Sequence, residues 1–258
     1  MPETLLINEV YLSLQGESTF AGLPCVFVRL TACNLRCSYC DTAYAFTEGR
    51  KWALSEVRAE VLRLSEPYFQ TERSLTSVQI IAGTDTARHR LPLVEFTGGE
   101  PLLQPNAGRI MGQLADDGFT VLVETSGAHS ISKLDPRIRR IMDLKCPGSG
   151  EVSRNRWENI QHLKSTDEVK FVIGSWEDYA WAKETIAKYQ LDRICPLLFS
   201  WVAPLLAHQK DPSLKAIPEG HRPIRRQELV EAMIADHVLA RFQLQMHKFI
   251  WPPDERGV

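Results

Sequence analysis

Between Thr31 and Thr42 the chain reads T-A-C-N-L-R-C-S-Y-C-D-T, which sets Cys33, Cys37 and Cys40 in a C-x3-C-x2-C spacing. Thiolates this close can converge on one soft-metal centre, so the fold must bring this loop to a sheltered position. The number of cysteines is informative. A structural zinc or a closed iron–sulfur cluster takes four protein ligands. A cubane cluster held by three cysteines leaves one iron open to a substrate or cofactor. Two blander readings stand beside it: a zinc site with its fourth ligand elsewhere, and three unrelated thiols.

Size and charge narrow the setting. A chain of 258 residues can build one sizeable core and is within reach of a single α/β barrel. Its 32 acidic and 30 basic residues leave a formal charge of -2, which supports neither a nucleic-acid-binding field nor a polybasic membrane surface. No apolar run approaches bilayer length, and Met1 to Asn8 lacks the basic and apolar regions of a signal peptide. The expected address is the cytoplasm. In that reducing setting the remaining cysteines are not a disulfide framework. Cys25 and Cys195 lie in apolar runs and read as small buried residues; Cys146 lies in a loop.

Along the chain, strand and helix patterns alternate. Leu5 to Leu14 reads as a strand running into the turn Gln15 to Thr19, and Cys25 to Leu30 reads as a second strand interrupted by Arg29. After the cysteine loop, Ser55 is expected to cap a helix over Glu56 to Leu64 that Pro67 ends. Ser77 to Ala82 reads as a short strand within an insertion at 71–91. Leu93 to Phe96 is an apolar strand broken by Glu95, leading into Thr97-Gly98-Gly99-Glu100-Pro101. Adjacent glycines at a strand end allow close backbone approach. Asn106 is expected to cap the next helix, with Gly118 as its stop. Strands follow at Thr120 to Val123, ending in Glu124-Thr125-Ser126-Gly127, and at Ile138 to Leu144. Trp157 to Leu163 reads as helical, Val169 to Ile173 as a strand, Glu177 to Tyr189 as a helix and Ile194 to Val202 as a strand. A surface excursion is expected at 203–226, then a helix over Gln227 to Val238 with Leu229, Met233 and Ile234 inward. Arg241 to Ile250 alternates as if to close the sheet, with Gln243, Gln245 and His247 on one face. The alternation implies parallel strands joined by helices, with the motifs gathered at strand C-terminal ends.

The aromatic Tyr39 just before the third cysteine makes the loop resemble the radical S-adenosylmethionine superfamily, defined by C-x3-C-x-aromatic-C. More narrowly, L-Q-G-E-S (Leu14 to Ser18), V-R-L-T-A-C-N-L-R-C-S-Y-C-D-T (Val28 to Thr42), T-G-G-E-P (Thr97 to Pro101), E-T-S-G (Glu124 to Gly127) and Q-x-H-K (Gln245 to Lys248) resemble the 7-carboxy-7-deazaguanine synthase family of queuosine and archaeosine precursor biosynthesis. The resemblance implies a single domain over residues 1–258: an incomplete (β/α) TIM-like barrel with rim insertions at 71–91 and 203–226 and an extension at 250–258. It implies a homodimer that turns 6-carboxy-5,6,7,8-tetrahydropterin into 7-carboxy-7-deazaguanine with loss of ammonia.

The resemblance also implies roles. Cys33, Cys37 and Cys40 would hold a 4Fe–4S cluster whose open iron is chelated by S-adenosylmethionine; one electron then yields a 5′-deoxyadenosyl radical. Tyr39, Asp41, Gly98, Gly99, Glu100, Ser126 and the Asp143-Leu144-Lys145 strand end, where the family carries S-P-K, would contact S-adenosylmethionine. Thr42 would ligate magnesium. Leu14, Gln15, Gly16 and Glu17 would face the pterin, Arg29 would pair with its carboxylate, and Thr97 and His247 would complete that pocket. An electron donor such as flavodoxin would visit. A glycyl-radical-enzyme activase and a non-enzymatic metal module are the competing readings.

Overall fold

The computed structural model describes residues 3–69, 77–79, 88–252 and 255–258. The first strands are β1 (Thr4–Leu14), β2 (Pro24–Leu30) and β3 (Arg50–Ala53). β1 pairs antiparallel with both of the others. The β-α alternation implies parallel strands, but the link from residue 15 to 23 holds no helix and is too short for a crossover, which takes a dozen residues or more. After helix α1 (Leu54–Phe69), β4 (Ser77–Gln79) and β5 (Arg88–Arg90) form a small separate ribbon. Only Ser77–Gln79 of the strand expected to reach Ala82 is described, and most of the 71–91 insertion lies outside the described residues.

The rest is the expected alternation. β6 (Leu93–Gly98), α2 (Ala107–Asp116), β7 (Val121–Thr125), β8 (Arg139–Asp143), β9 (Glu168–Ile173), α3 (Trp176–Tyr189), β10 (Leu197–Trp201), α4 (Arg226–Ala235), β11 (Arg241–Gln243) and the short α5 (His247–Ile250) follow in turn. The sheet runs β11-β10-β9-β8-β7-β6-β2-β1-β3. It is parallel from β2 through β11 and open at both edges, so the barrel is incomplete, as expected.

Period-two alternation decides what each strand shows to each side. On β2 and β6, Val26, Val28, Val94 and Phe96 pack with Val57 and Val61 of α1 and Ile110 and Met111 of α2. The opposite faces carry Phe27, Leu93 and, on β7, Leu122, which join Phe20 in a small apolar floor. Residues one step further along those strands, Glu95, Thr97 and Glu124, line a cavity above that floor. A second core joins Phe171 and Phe199 to Tyr179 of α3 and Leu229 and Met233 of α4.

Several local expectations are corrected. Ser55 lies inside α1, whose start is capped instead by Glu56 accepting from the Ala53 N–H at 2.6 Å. Pro67 sits inside the last turn and does not end the helix, which continues to Phe69. Asn106 makes no side-chain cap; its Nδ2 donates to the Thr4 carbonyl at 3.0 Å, tying α2 to β1. Trp157–His162 forms 3-10 turns. Ile234 is 71% exposed and does not face the core. Arg241–Gln243 is the whole of β11, and His247 belongs to α5, so the expected ten-residue alternation is broken at Leu244. Among the described residues no helix is long and apolar enough to cross a membrane.

Candidate active site

A cavity of about 780 Å³ opens at the C-terminal ends of the parallel strands. The cysteine loop forms one wall. Ala32 takes a left-handed conformation (φ 78°) that turns the chain off β2. The Ala32 carbonyl accepts from the Glu100 N–H at 2.8 Å, and the Gly99 N–H donates to the Leu30 carbonyl at 3.0 Å. A Cβ at Gly99 would lie 2.0 Å from the Ala32 oxygen, and Gly98 holds φ at 113°. The glycine pair therefore first serves the contact between β6 and the cysteine loop. Further along, Ser38 bonds Ser149 and Gly148, and the Arg36 N–H donates to Glu151 Oε1 at 2.7 Å.

Cys33, Cys37 and Cys40 all line the cavity, and none is disulfide-bonded. Burial pushes Cys37 up to about 11 and Cys40 to about 12, and raises Cys33. The loop alone thus keeps its thiols protonated, and a bound metal group must displace those protons. Among the described residues no three His, Cys, Asp or Glu side chains converge tightly enough for one ion. Three cysteines lining one cavity are the donor set of a cubane cluster with one iron left to a cofactor. Tyr39 also lines the cavity; its hydroxyl is buried and has no hydrogen-bond partner among the described residues.

The neighbouring groups divide. Asp41 pairs with Lys248 at 2.5 Å, accepts from Thr42 Oγ1 at 3.0 Å and lies 3.4 Å from Gln245 Nε2. Burial would raise its carboxyl, but the Lys248 ammonium overrides this and holds it below the usual range. Asp143 and Lys145 line the cavity as an ion pair at 2.5 Å. Ser126 lines it too, with its hydroxyl donating to Glu100 at 2.5 Å.

Two of the expected contact residues, Glu100 and Leu144, are not among those that line the cavity. Glu100 is fully buried away from the cavity lining, because its carboxylate gathers Leu102 N–H, Thr125 Oγ1, Ser126 N–H and Ser126 Oγ. Leu144 points into the second core, as the residue between two cavity-facing neighbours on an extended chain must.

On the opposite wall, Arg29 is already held: its Nε donates to Glu9 Oε1 at 2.6 Å and an Nη to the Tyr11 hydroxyl at 2.7 Å. Burial works against its charge, but Tyr11, Tyr44 and Glu9 outweigh it and keep the guanidinium ionised. Segment 15–23 dips into the barrel beside it. Gln15 bonds Glu95; Glu17 accepts from Ser200 and Lys170. Thr19 bonds Glu168 through both its N–H and its hydroxyl, and Phe20 joins the floor. Lys170 also meets Glu124 at 2.6 Å, and Glu124 accepts from Thr97 at 3.1 Å. His247 approaches Gly16, and the Met246 N–H donates to the Gly16 carbonyl at 3.2 Å. Leu14, Thr97 and His247 all line the cavity.

Sequence reasoning missed Glu9, Glu95, Lys170 and Lys248 as site residues. A charge interrupting an apolar strand was the available signal for Glu95 and Lys170. The excursion at 203–226 is also more than surface. Residues 208–212 line the cavity, and Lys215 bonds the Arg36 carbonyl and Glu151 at 2.9 Å each.

The radical SAM superfamily model matches residues 28–148, which hold the cysteine loop and the glycine pair. The 7-carboxy-7-deazaguanine synthase of Koribacter versatilis (strain Ellin345) is 39% identical over 254 residues, covering 98% of this chain and 99% of that one. That of Chlorobaculum tepidum is 36% identical over 257 residues, covering 98% and 97%. The chain belongs to the 7-carboxy-7-deazaguanine synthase family. The solved structure of QueE from Escherichia coli has the same fold as this family member, with a TM-score of 0.64 at 19% identity over 95% of each chain.

Proposed function

We propose that this protein converts 6-carboxy-5,6,7,8-tetrahydropterin into 7-carboxy-7-deazaguanine with release of ammonia, as a radical S-adenosylmethionine lyase in 7-deazapurine biosynthesis. The observation that carries the reading is one cavity lined by the three cysteines on one side and by Gln15, Arg29 and Thr97 on the other. When bound, a 4Fe–4S cluster and S-adenosylmethionine supply the one-electron chemistry that opens a carbon–hydrogen bond.

The chain's residues bind and orient. Cys33, Cys37 and Cys40 hold the cluster. Tyr39, Asp41, Gly98, Gly99, Ser126, Asp143 and Lys145 lie along S-adenosylmethionine. Thr42 offers its hydroxyl to magnesium, whose preference for oxygen lets substrate oxygens and water fill the rest of the shell. Arg29, locked by Glu9 and Tyr11, turns its remaining N–H groups to the substrate carboxylate. Leu14, Gly16, Thr97 and His247 shape the pterin pocket. The whole chain acts as one domain, as a homodimer in the cytoplasm, reduced by a flavodoxin-like donor.

The deciding experiment is anaerobic turnover of the reconstituted protein with dithionite, S-adenosylmethionine, magnesium and the tetrahydropterin, read by absorbance and mass. Formation of the deazaguanine without stoichiometric loss of S-adenosylmethionine is expected. Cleavage of S-adenosylmethionine with no deazaguanine would sink the substrate assignment. In the same preparation, Arg29→Ala is expected to weaken pterin binding at least tenfold and to leave S-adenosylmethionine binding unchanged; equal losses would remove the role given to Arg29.

A further inference from the structure

The polar groups nearest the pterin pocket are mostly taken up by the protein itself. Gln15 Nε2 donates to Glu95 Oε2 at 2.8 Å, and Gln15 Oε1 accepts from the Glu17 N–H at 2.6 Å. One Glu17 oxygen accepts from Ser200 and the other from Lys170. One Glu124 oxygen accepts from Lys170 and the other from Thr97. Each polar atom of the Gln15 amide and the Glu17 carboxylate thus already has one protein partner.

Glu95 differs. It lines the cavity, yet is only 2% exposed. One of its oxygens accepts from Gln15, and among the described residues no donor reaches the other. In register beside it stand Phe27 on β2 and Leu122 on β7, both part of the apolar floor. A single acceptor set between apolar side chains at the bottom of a cavity fits the edge of a flat heterocycle that carries an N–H donor. A buried acceptor left without its donor is costly, so such a group discriminates between ligands that differ by one N–H.

We propose that Glu95 Oε1 receives the 2-amino group of the substrate's pyrimidinone ring, and that Gln15 is the positioning residue that fixes which Glu95 oxygen faces the cavity. This rests on the pterin reading above. Electrostatics agree with it. Burial, then the Glu124 charge, pushes Glu95 up to about 8, while the Gln15 hydrogen bond and Lys170 pull it down. Glu17, Tyr11 and Cys25 also face it. A ring donor favours the ionised carboxylate, so ligand affinity must rise as pH climbs through about 8.

The test is calorimetric titration of the reconstituted holoenzyme, with S-adenosylmethionine bound, at pH 8.5. The probes are 6-carboxytetrahydropterin and its 2-oxo counterpart, 6-carboxytetrahydrolumazine. The unmodified protein is expected to prefer the amino compound at least tenfold. In Glu95→Gln, the Gln15 donor holds the new amide oxygen and turns the new NH2 to the cavity, so the preference is expected to invert. Glu95→Leu, which fills the floor without a polar group, is expected to bind both weakly and alike, and serves if the amide variant does not fold. Pterin affinity is expected to rise between pH 7 and 9 in the unmodified protein and to stay flat in Glu95→Gln. An undiminished amino preference in both variants overturns the assignment of Glu95 and leaves the pterin reading intact. An unmodified protein that binds neither probe overturns the pterin reading, and the assignment with it.

Discussion

The cysteine loop and segment 15–23 both leave a strand end and enter the same cavity, but different forces fasten them. The cysteine loop is held largely through backbone groups: Ala32 to Ala45, Glu100 to Ala32, Ser38 to Ser149, Lys215 to Arg36. Segment 15–23 is held by side chains, most of them ionisable: Glu95, Lys170 and Glu168 meet Gln15, Glu17 and Thr19. Peptide groups do not titrate, so this part of the first loop's hold does not change with pH. The second depends in part on Glu95 and Glu168, whose carboxyls burial pushes up.

The sharpest way to separate the two is Cys37→Ala. It is expected to abolish cluster assembly, seen as loss of bound iron and sulfide, while the metal-free fold changes by only about 1 kcal/mol. Iron content equal to that of the unmodified protein would remove the cysteine triad from the site. Lys170→Met should do the reverse. It removes the buried ammonium that meets the half-buried Glu17 and Glu124 at 3.1 and 2.6 Å. Loss of one partner from a fully buried pair costs about 3–5 kcal/mol, and the partial exposure of the two carboxylates places the expected loss at the lower end, to be read by urea unfolding. A small change would mean that water replaces the lysine and that segment 15–23 is not anchored by charge.

The third test uses pH. Burial pushes Glu168 up to about 7, against the hydrogen bonds from Thr19. The folded chain therefore holds this proton more firmly than the unfolded chain. The contribution of Glu168 is fully present below its unfolded value and is lost as pH rises toward 7. Across that window the loss is about 3 kcal/mol at most. Glu168→Gln, which cannot ionise, should flatten the fall in melting temperature between pH 5 and 8. A slope identical to that of the unmodified protein would assign the pH response to other groups.

The same contrast explains what could be read from the chain alone. The cysteine loop is a local pattern, and its spacing announces a metal group without any knowledge of the fold. The parallel strands also show themselves, as apolar runs with polar ends. The partners of segment 15–23 do not, since Gln15 meets a residue 80 positions away and Thr19 one 149 away. Glu95 and Lys170 are visible only as charges out of place in apolar strands; what they answer to is decided by register. Gln245 to His247 misled for the opposite reason. Their alternation is real, but Gly16 takes the Met246 N–H, and the chain turns into α5 instead of extending β11.

The hairpin that carries segment 15–23 leaves the ribosome well before its partners, and Thr19 and Glu17 are not satisfied until Glu168, Lys170 and Ser200 have followed. The turn is thus an early product with late polar partners. A nascent chain cut off before β9 would carry its first hairpin with the Glu17 carboxylate and the Thr19 hydroxyl lacking those partners, open to quality-control surveillance. The segment that shapes the pocket also reports whether β9 and β10 have been made.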